Sequence, residues 1–157
     1  ARAISAIGFV NSRMLRWPLV RTTLNHMWQQ GFRNSRFAYT CGSALGYPIR
    51  KFFEIPAAGA VLVAQAPNGF EDLGFRHKEN AIISSPERLP TVDTWLKSNL
   101  DEAQRIATAG RDLVWEQHRV GARARQYAQV IEAIASGCFR GSRWRGGDFE
   151  VISVNSL

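Results

Sequence analysis

A chain of 157 residues has the size of one domain, which at this length buries roughly 70% of its unfolded surface without disulfide or metal support. With 45% apolar and 21% charged residues it is neither fibrous nor disordered, and its longest apolar stretch, Ile55 to Ala64, is too short to span a bilayer. Twenty Lys and Arg against thirteen Asp and Glu leave a net charge of +7, a surplus that favours anionic partners.

Ala3 to Val10 follows Arg2 as a compact apolar run. It is too short for a signal peptide, no small-residue cleavage site follows, and it reads as a buried strand. Trp17-Pro18 then opens a helix, because proline suits a first helical position; Val20, Leu24, Met27 and Trp28 recur at helical spacing and Gly31 is expected to stop it. Arg36 to Cys41 predicts a second strand, followed by the loop Gly42 to Tyr47, whose two glycines permit a ligand to approach the backbone closely. A short helix is expected from Pro48 to Gly59. Pro56 lies inside it and cannot bond the Phe52 carbonyl, so its last turn should be irregular.

Ala60 to Ala64 lacks period-two alternation and reads as a parallel strand covered on both faces. The loop Pro67 to Glu71 and a short strand at Ala81 to Ile83 precede helices expected at about 91–99, 101–117 and 120–135. Ile106, Leu113 and Val114 mark one helical face there, and Val120, Tyr127, Ile131 and Ile134 mark another. The last twenty residues change character. Arg140, Arg143 and Arg145 interleave with glycines and Trp144, which suggests a basic tail or edge hairpin at 138–157, with an extra strand at Phe149 to Val154, appended to a domain at 1–137. Alternating strands and helices predict an α/β domain with a mainly parallel sheet flanked by helices. Ligands of such sheets bind beyond the carboxyl ends of the strands, where the glycine loop and the Asn68 loop fall.

Chemistry concentrates at Arg50, Lys51 and Glu54. A carboxylate can accept hydrogen bonds from a ribose diol while neighbouring cations offset a diphosphate, the combination a sugar nucleotide requires; Glu54 could equally pair locally with Arg50 or Lys51. Cys41 and Cys138 show no metal-ligand spacing and read as reduced thiols of a cytosolic protein, and His26, His77 and His118 show none either, so neither a metal nor a cofactor is expected. His118 reads as a packing or capping residue.

The run Arg50 to Ala60, with Gly69 to Phe75, Asn80, Ala107 to Arg111, His118 and Arg123, resembles the C-terminal half of group-1 glycosyltransferases of the two-Rossmann-domain GT-B architecture. The likeness is greatest to the branch related to spore-maturation glycosyltransferases and covers about Ser35 to Ile134. It implies a single Rossmann-like domain that binds a nucleoside-diphosphate sugar. Glu54 is then expected on the ribose hydroxyls, with Arg50 and, to a lesser degree, Lys51 stabilising the departing diphosphate as catalytic residues. Asn68, Gly69 and Phe70 are expected beside the donor's phosphates or sugar. Many relatives carry a second acid eight positions before the first, where this chain has Gly46. The resemblance also implies an acceptor-binding N-terminal domain or partner chain, and a cytoplasmic protein with a peripheral contact at an anionic membrane face. Two other classes compete: a basic nucleic-acid module built on the Arg140 to Arg145 segment, and a non-catalytic partner subunit. Glu54 among the cations disfavours nucleic acid, whose backbone a carboxylate repels.

Overall fold

The computed structural model describes residues 17–42 and 45–154. The strand expected at Ala3–Val10 and part of the glycine loop, Ser43 and Ala44, lie outside the described residues. In chain order the elements are α1 (Pro18–Arg33), β1 (Phe37–Thr40), α2 (Lys51–Ala57), β2 (Val61–Ala64), β3 (Ile82–Ile83), α3 (Leu89–Ser98), α4 (Leu100–Leu113), a π-helical turn at Val114–His118, α5 (Val120–Ala135), β4 (Phe139–Arg145) and β5 (Asp148–Ser153). The first three strands form one parallel sheet in the order β1-β2-β3, with Phe37 opposite Val61, Thr40 opposite Ala64, and Val63 opposite Ile82. The fold is therefore α/β, a three-stranded parallel sheet flanked by helices.

The central strand explains why the apolar run lacks alternation. All four residues of β2 are buried, but they serve two cores. Leu62 and Ala64 join Phe52 and Ile55 of α2 with Phe70 and Phe75, whereas Val61 and Val63 pack with Ile82, Leu96, Ile106 and Ala107 under α3 and α4. A strand covered on both faces has no polar side to write into its sequence.

Helix boundaries follow local chemistry. Gly31 does not stop α1; the helix runs on to Arg33 and is capped at Asn34, whose amide donates to Gln30. Helix α2 starts three residues after Pro48, at Lys51, and its last helical residue is Ala57, two before the Gly59 at which the sequence placed its end. There the Ala60 amide reaches the Ile55 carbonyl (3.3 Å) and the Gly59 amide the Pro56 carbonyl (2.8 Å), a Schellman pair that the left-handed Gly59 (φ 87°) permits. Asn99 separates α3 from α4, and Asp101 and Glu102 sit in the first turn of α4, where its dipole favours acids. Ala103, Ile106, Ala107 and Gly110 then give α4 a buried stripe at helical spacing.

Two expectations require correction. The stripe Val120, Tyr127, Ile131 and Ile134 faces solvent, and α5 turns instead the buried Ala122 and the half-buried Arg123, Gln126 and Val130 inward. The C-terminal residues form a hairpin, one of the two forms expected of them, but not at the edge of the parallel sheet: β4 and β5 pair antiparallel in a sheet of their own, closed by Gly146 and Gly147, both left-handed, in the two-residue turn that hairpin twist prefers.

Candidate functional site

Because the three strands are parallel, their carboxyl ends, Thr40, Ala64 and Ile83, lie at one end of the sheet. The loops leaving them converge. The Asn68 amide donates to the Gly46 carbonyl (2.9 Å), and a Cβ added to Gly46, itself left-handed at φ 68°, would stand 3.4 Å from the Asn68 side-chain amide. A Cβ added to Gly42 would stand 3.9 Å from the Gln65 carbonyl and from Pro67 Cβ. The glycine loop and the Asn68-Gly69 turn thus belong to one surface, where small side chains leave backbone amides within reach of a ligand. Gly69 adopts φ 75° and is exposed, as is Asn68.

The same end carries chemistry that sequence reasoning missed. Tyr39 of β1 buries its hydroxyl without a hydrogen-bond partner among the described residues. Burial above all, then the charges of Cys41 and Glu87, raise its pKa and keep it a neutral phenol. Glu87 follows β3; a hydrogen bond from Ser85 and one from its own amide lower its pKa. No spacing in the sequence joins Tyr39 to Glu87, whose charge acts on it because β1 and the segment after β3 leave the sheet at the same end.

Arg50, Lys51 and Glu54 lie at the start of α2. Phe52, Ile55 and Pro56 point into the core and so set the opposite face outward. Arg50 Nε stands 2.6 Å from Glu54 Oε1, one turn along, with the arginine side chain 77% exposed and the glutamate 25%. The local pairing is therefore present. Lys51 holds its ammonium 5.0 Å from the centre of the Trp28 ring on α1. Phe70 does not face a ligand: it is 2% exposed, edge-on to Phe52 at 5.8 Å and stacked on Phe75 at 5.0 Å. Its apolar ring stabilises the core beneath the Asn68 turn, and that burial takes it out of any contact surface.

A cavity of about 490 Å³ opens at the other end of the sheet, beside Arg36, Gly59, Lys97 and Asp101. None of the six expected site residues lines it. A second cavity of about 460 Å³ lies between α5 and the hairpin and is walled by Arg123, Tyr127, Trp144 and Phe149. Among the described residues no three His, Cys, Asp or Glu side chains gather as they would around a metal ion, and no helix is long and apolar enough to cross a membrane.

His118 and Arg123 anchor the hairpin. Asn80 closes the turn beneath them, accepting from the Arg76 amide (2.7 Å) and donating to the Gly74 carbonyl (2.9 Å). His118 Nε2 meets the Leu73 carbonyl at 2.9 Å, its ring lies parallel to Phe75, and Trp144 of β4 sits 5.0 Å away. Arg123 lies over the Trp144 ring at 4.3 Å. The packing role expected of His118 is the one observed.

Comparison with known proteins gives one result. A family model described as glycosyl transferase-like matches residues 16–129, from just before α1 into α5, while no curated protein and no solved structure matches the chain.

Proposed function

Since this chain belongs to the glycosyl transferase-like family, we propose that it is the donor-binding domain of a GT-B transferase, related to the spore-maturation branch, and that it binds a nucleoside-diphosphate sugar. The observation that carries this reading is the convergence of the Gly46 and Asn68 loops at the carboxyl ends of a parallel sheet built within the family's matched span. In this reading residues 1–137 are the nucleotide-sugar domain and 138–157 an appended hairpin. The donor's diphosphate lies against the amides of the two loops, with Arg50 offsetting its charge and Lys51 adding to the positive field. Glu54 takes the ribose hydroxyls, its orientation set by Arg50 one turn away. Catalysis here is electrostatic: the cations stabilise the nucleoside diphosphate as the glycosyl bond breaks. The acceptor is held by an N-terminal domain or partner chain that closes over the donor.

The test is calorimetric titration of the chain with UDP, GDP and ADP, with the matching nucleosides and a short oligonucleotide as controls at moderate salt. Saturable binding of one diphosphate, tighter than its nucleoside, is the expected result. Binding of the oligonucleotide alone, or of nothing, overturns the reading.

A further inference from the structure

The outer face of α5 is apolar, and nothing among the described residues covers it. Val120, Tyr127, Ile131 and Ile134 are 87%, 71%, 63% and 56% exposed, and Ala124 is exposed between them. Their spacing of four, three, four and three residues is that of a helix–helix seam, not of a stripe facing a globular core. Beside the seam run Gly121, Ala128 and Ala135, all exposed and all small enough to let a second helix approach closely. At about 100° per residue the combined face spans an arc of roughly 140° that carries no charge. A monomer seldom leaves so continuous an apolar surface in water.

The charges at its margin select the occupant. Arg125 and Glu132 are exposed on one flank of the face, seven residues apart. In a parallel pair the two copies of this flank lie on opposite sides of the seam, and Arg125 and Glu132 would find no partner in each other. In an antiparallel pair centred near Ala128, Arg125 of one copy comes level with Glu132 of the other to within about 1.5 Å along the axis, and symmetry makes the match twice. Antiparallel packing also sets the two helix dipoles in their favourable sense. A membrane-surface helix, by contrast, carries cations along both margins of its apolar face, and this one has Glu132 beside Arg125. From this we infer that the chain self-associates through α5, seam to seam and antiparallel, as a two-fold dimer.

Sedimentation equilibrium of the full chain between about 1 and 300 µM tests the inference. A monomer–dimer equilibrium is expected. Ile131→Glu, at an exposed position that leaves the core intact, should raise the dissociation constant at least ~10-fold with an unchanged circular dichroism spectrum. Arg125→Glu and Glu132→Arg should each weaken the dimer, and the double swap should restore it, because only the antiparallel arrangement exchanges the two charges across the seam. A chain that stays monomeric throughout the range overturns the inference, as does a dimer indifferent to Ile131→Glu. Failure of the double swap to restore association overturns the antiparallel pairing. A monomer that instead sediments with anionic vesicles assigns the face to a bilayer and overturns it too. None of these outcomes depends on whether a nucleotide binds at the strand ends.

Discussion

Arg123 Nη2 stands 3.0 Å from Nδ1 of His118, so the histidine accepts there while Nε2 donates to the Leu73 carbonyl at 2.9 Å. One tautomer of a neutral ring satisfies both contacts. The same guanidinium lies over Trp144 and, at 6.0 Å, over Phe53. Two side chains thereby join the turn at residue 73, helix α2, helix α5 and the hairpin.

Burial, assisted by the Arg123 charge, lowers the His118 pKa from 6.5 to about 4 despite the opposing bond to Leu73. Between those values the unfolded chain takes up a proton that the folded one refuses. Stability is therefore complete above pH 6.5 and falls as the pH drops toward 4, by at most ~1.4 kcal/mol per pH unit for one proton. His77, whose pKa is lowered by burial and by Lys78, acts in the same direction. Urea unfolding at several pH values should show this loss, and His118→Gln should be less stable at pH 7 yet flatter between pH 6.5 and 4. An unchanged slope in the variant would remove His118 from the effect.

Trp144→Ala should destabilise the protein by about 2–4 kcal/mol, since it removes a half-buried indole together with its contacts to Arg123, His118 and Phe149. Truncation before Cys138 should cost at least as much, because the Gly147 amide also donates to the Asp72 carbonyl at 2.9 Å. Equal unfolding midpoints for the truncated and full chains would show that the hairpin contributes nothing to the domain.

Gly59 and Gly74 are both left-handed, at φ 87° and 89°, but only one is crowded. A Cβ on Gly59 meets nothing within 4 Å, whereas one on Gly74 would stand 2.8 Å from Gly147 Cα and from Leu113 Cδ1. Gly59→Ala should cost about 1–2 kcal/mol from backbone conformation alone. Gly74→Ala should cost that and roughly 1–3 kcal/mol more for displacing the hairpin turn. Chemical denaturation of the pair measures the difference; equal losses would contradict the close approach.

Glu54→Ala should leave folding nearly unchanged, because its pair with the largely exposed Arg50 contributes about 0–1 kcal/mol. If the donor site is as proposed, the same change should weaken nucleoside diphosphate and nucleoside binding alike, on the order of 10-fold. Arg50→Ala should weaken the diphosphate more than the nucleoside, which loses only the ordering of Glu54. Calorimetry on the two variants separates these effects, and an undiminished affinity in Glu54→Ala takes the carboxylate out of the site.

Much of the fold was legible because its signals are local. The all-apolar run of β2 announced a strand between two layers, and α5 occupies the expected 120–135 because its helical periodicity is uninterrupted. Gly31 misled because a glycine ends a helix only where the chain must turn, and α1 still has Phe32 to bury against the core. Which face of α5 points inward was not legible: its apolar stripe is stronger than its buried one, and a side chain such as Arg123 enters the interior only because Trp144 waits there. Phe70 was misread for a related reason. Its neighbours Asn68 and Gly69 are exposed turn residues, and the one residue that turns back to anchor the loop looks the same in sequence as one that projects from it.

The π-helical turn at Val114–His118 holds one residue more than an α turn would. That surplus rotates the chain beyond it by about 100° relative to a continuous helix. The azimuth at which α5 departs is thus governed by the number of residues between Leu113 and Arg119, not by their identity. Exposed Glu116 is free to vary in kind, while the count that aims His118 at Leu73 and Arg123 at Trp144 is not.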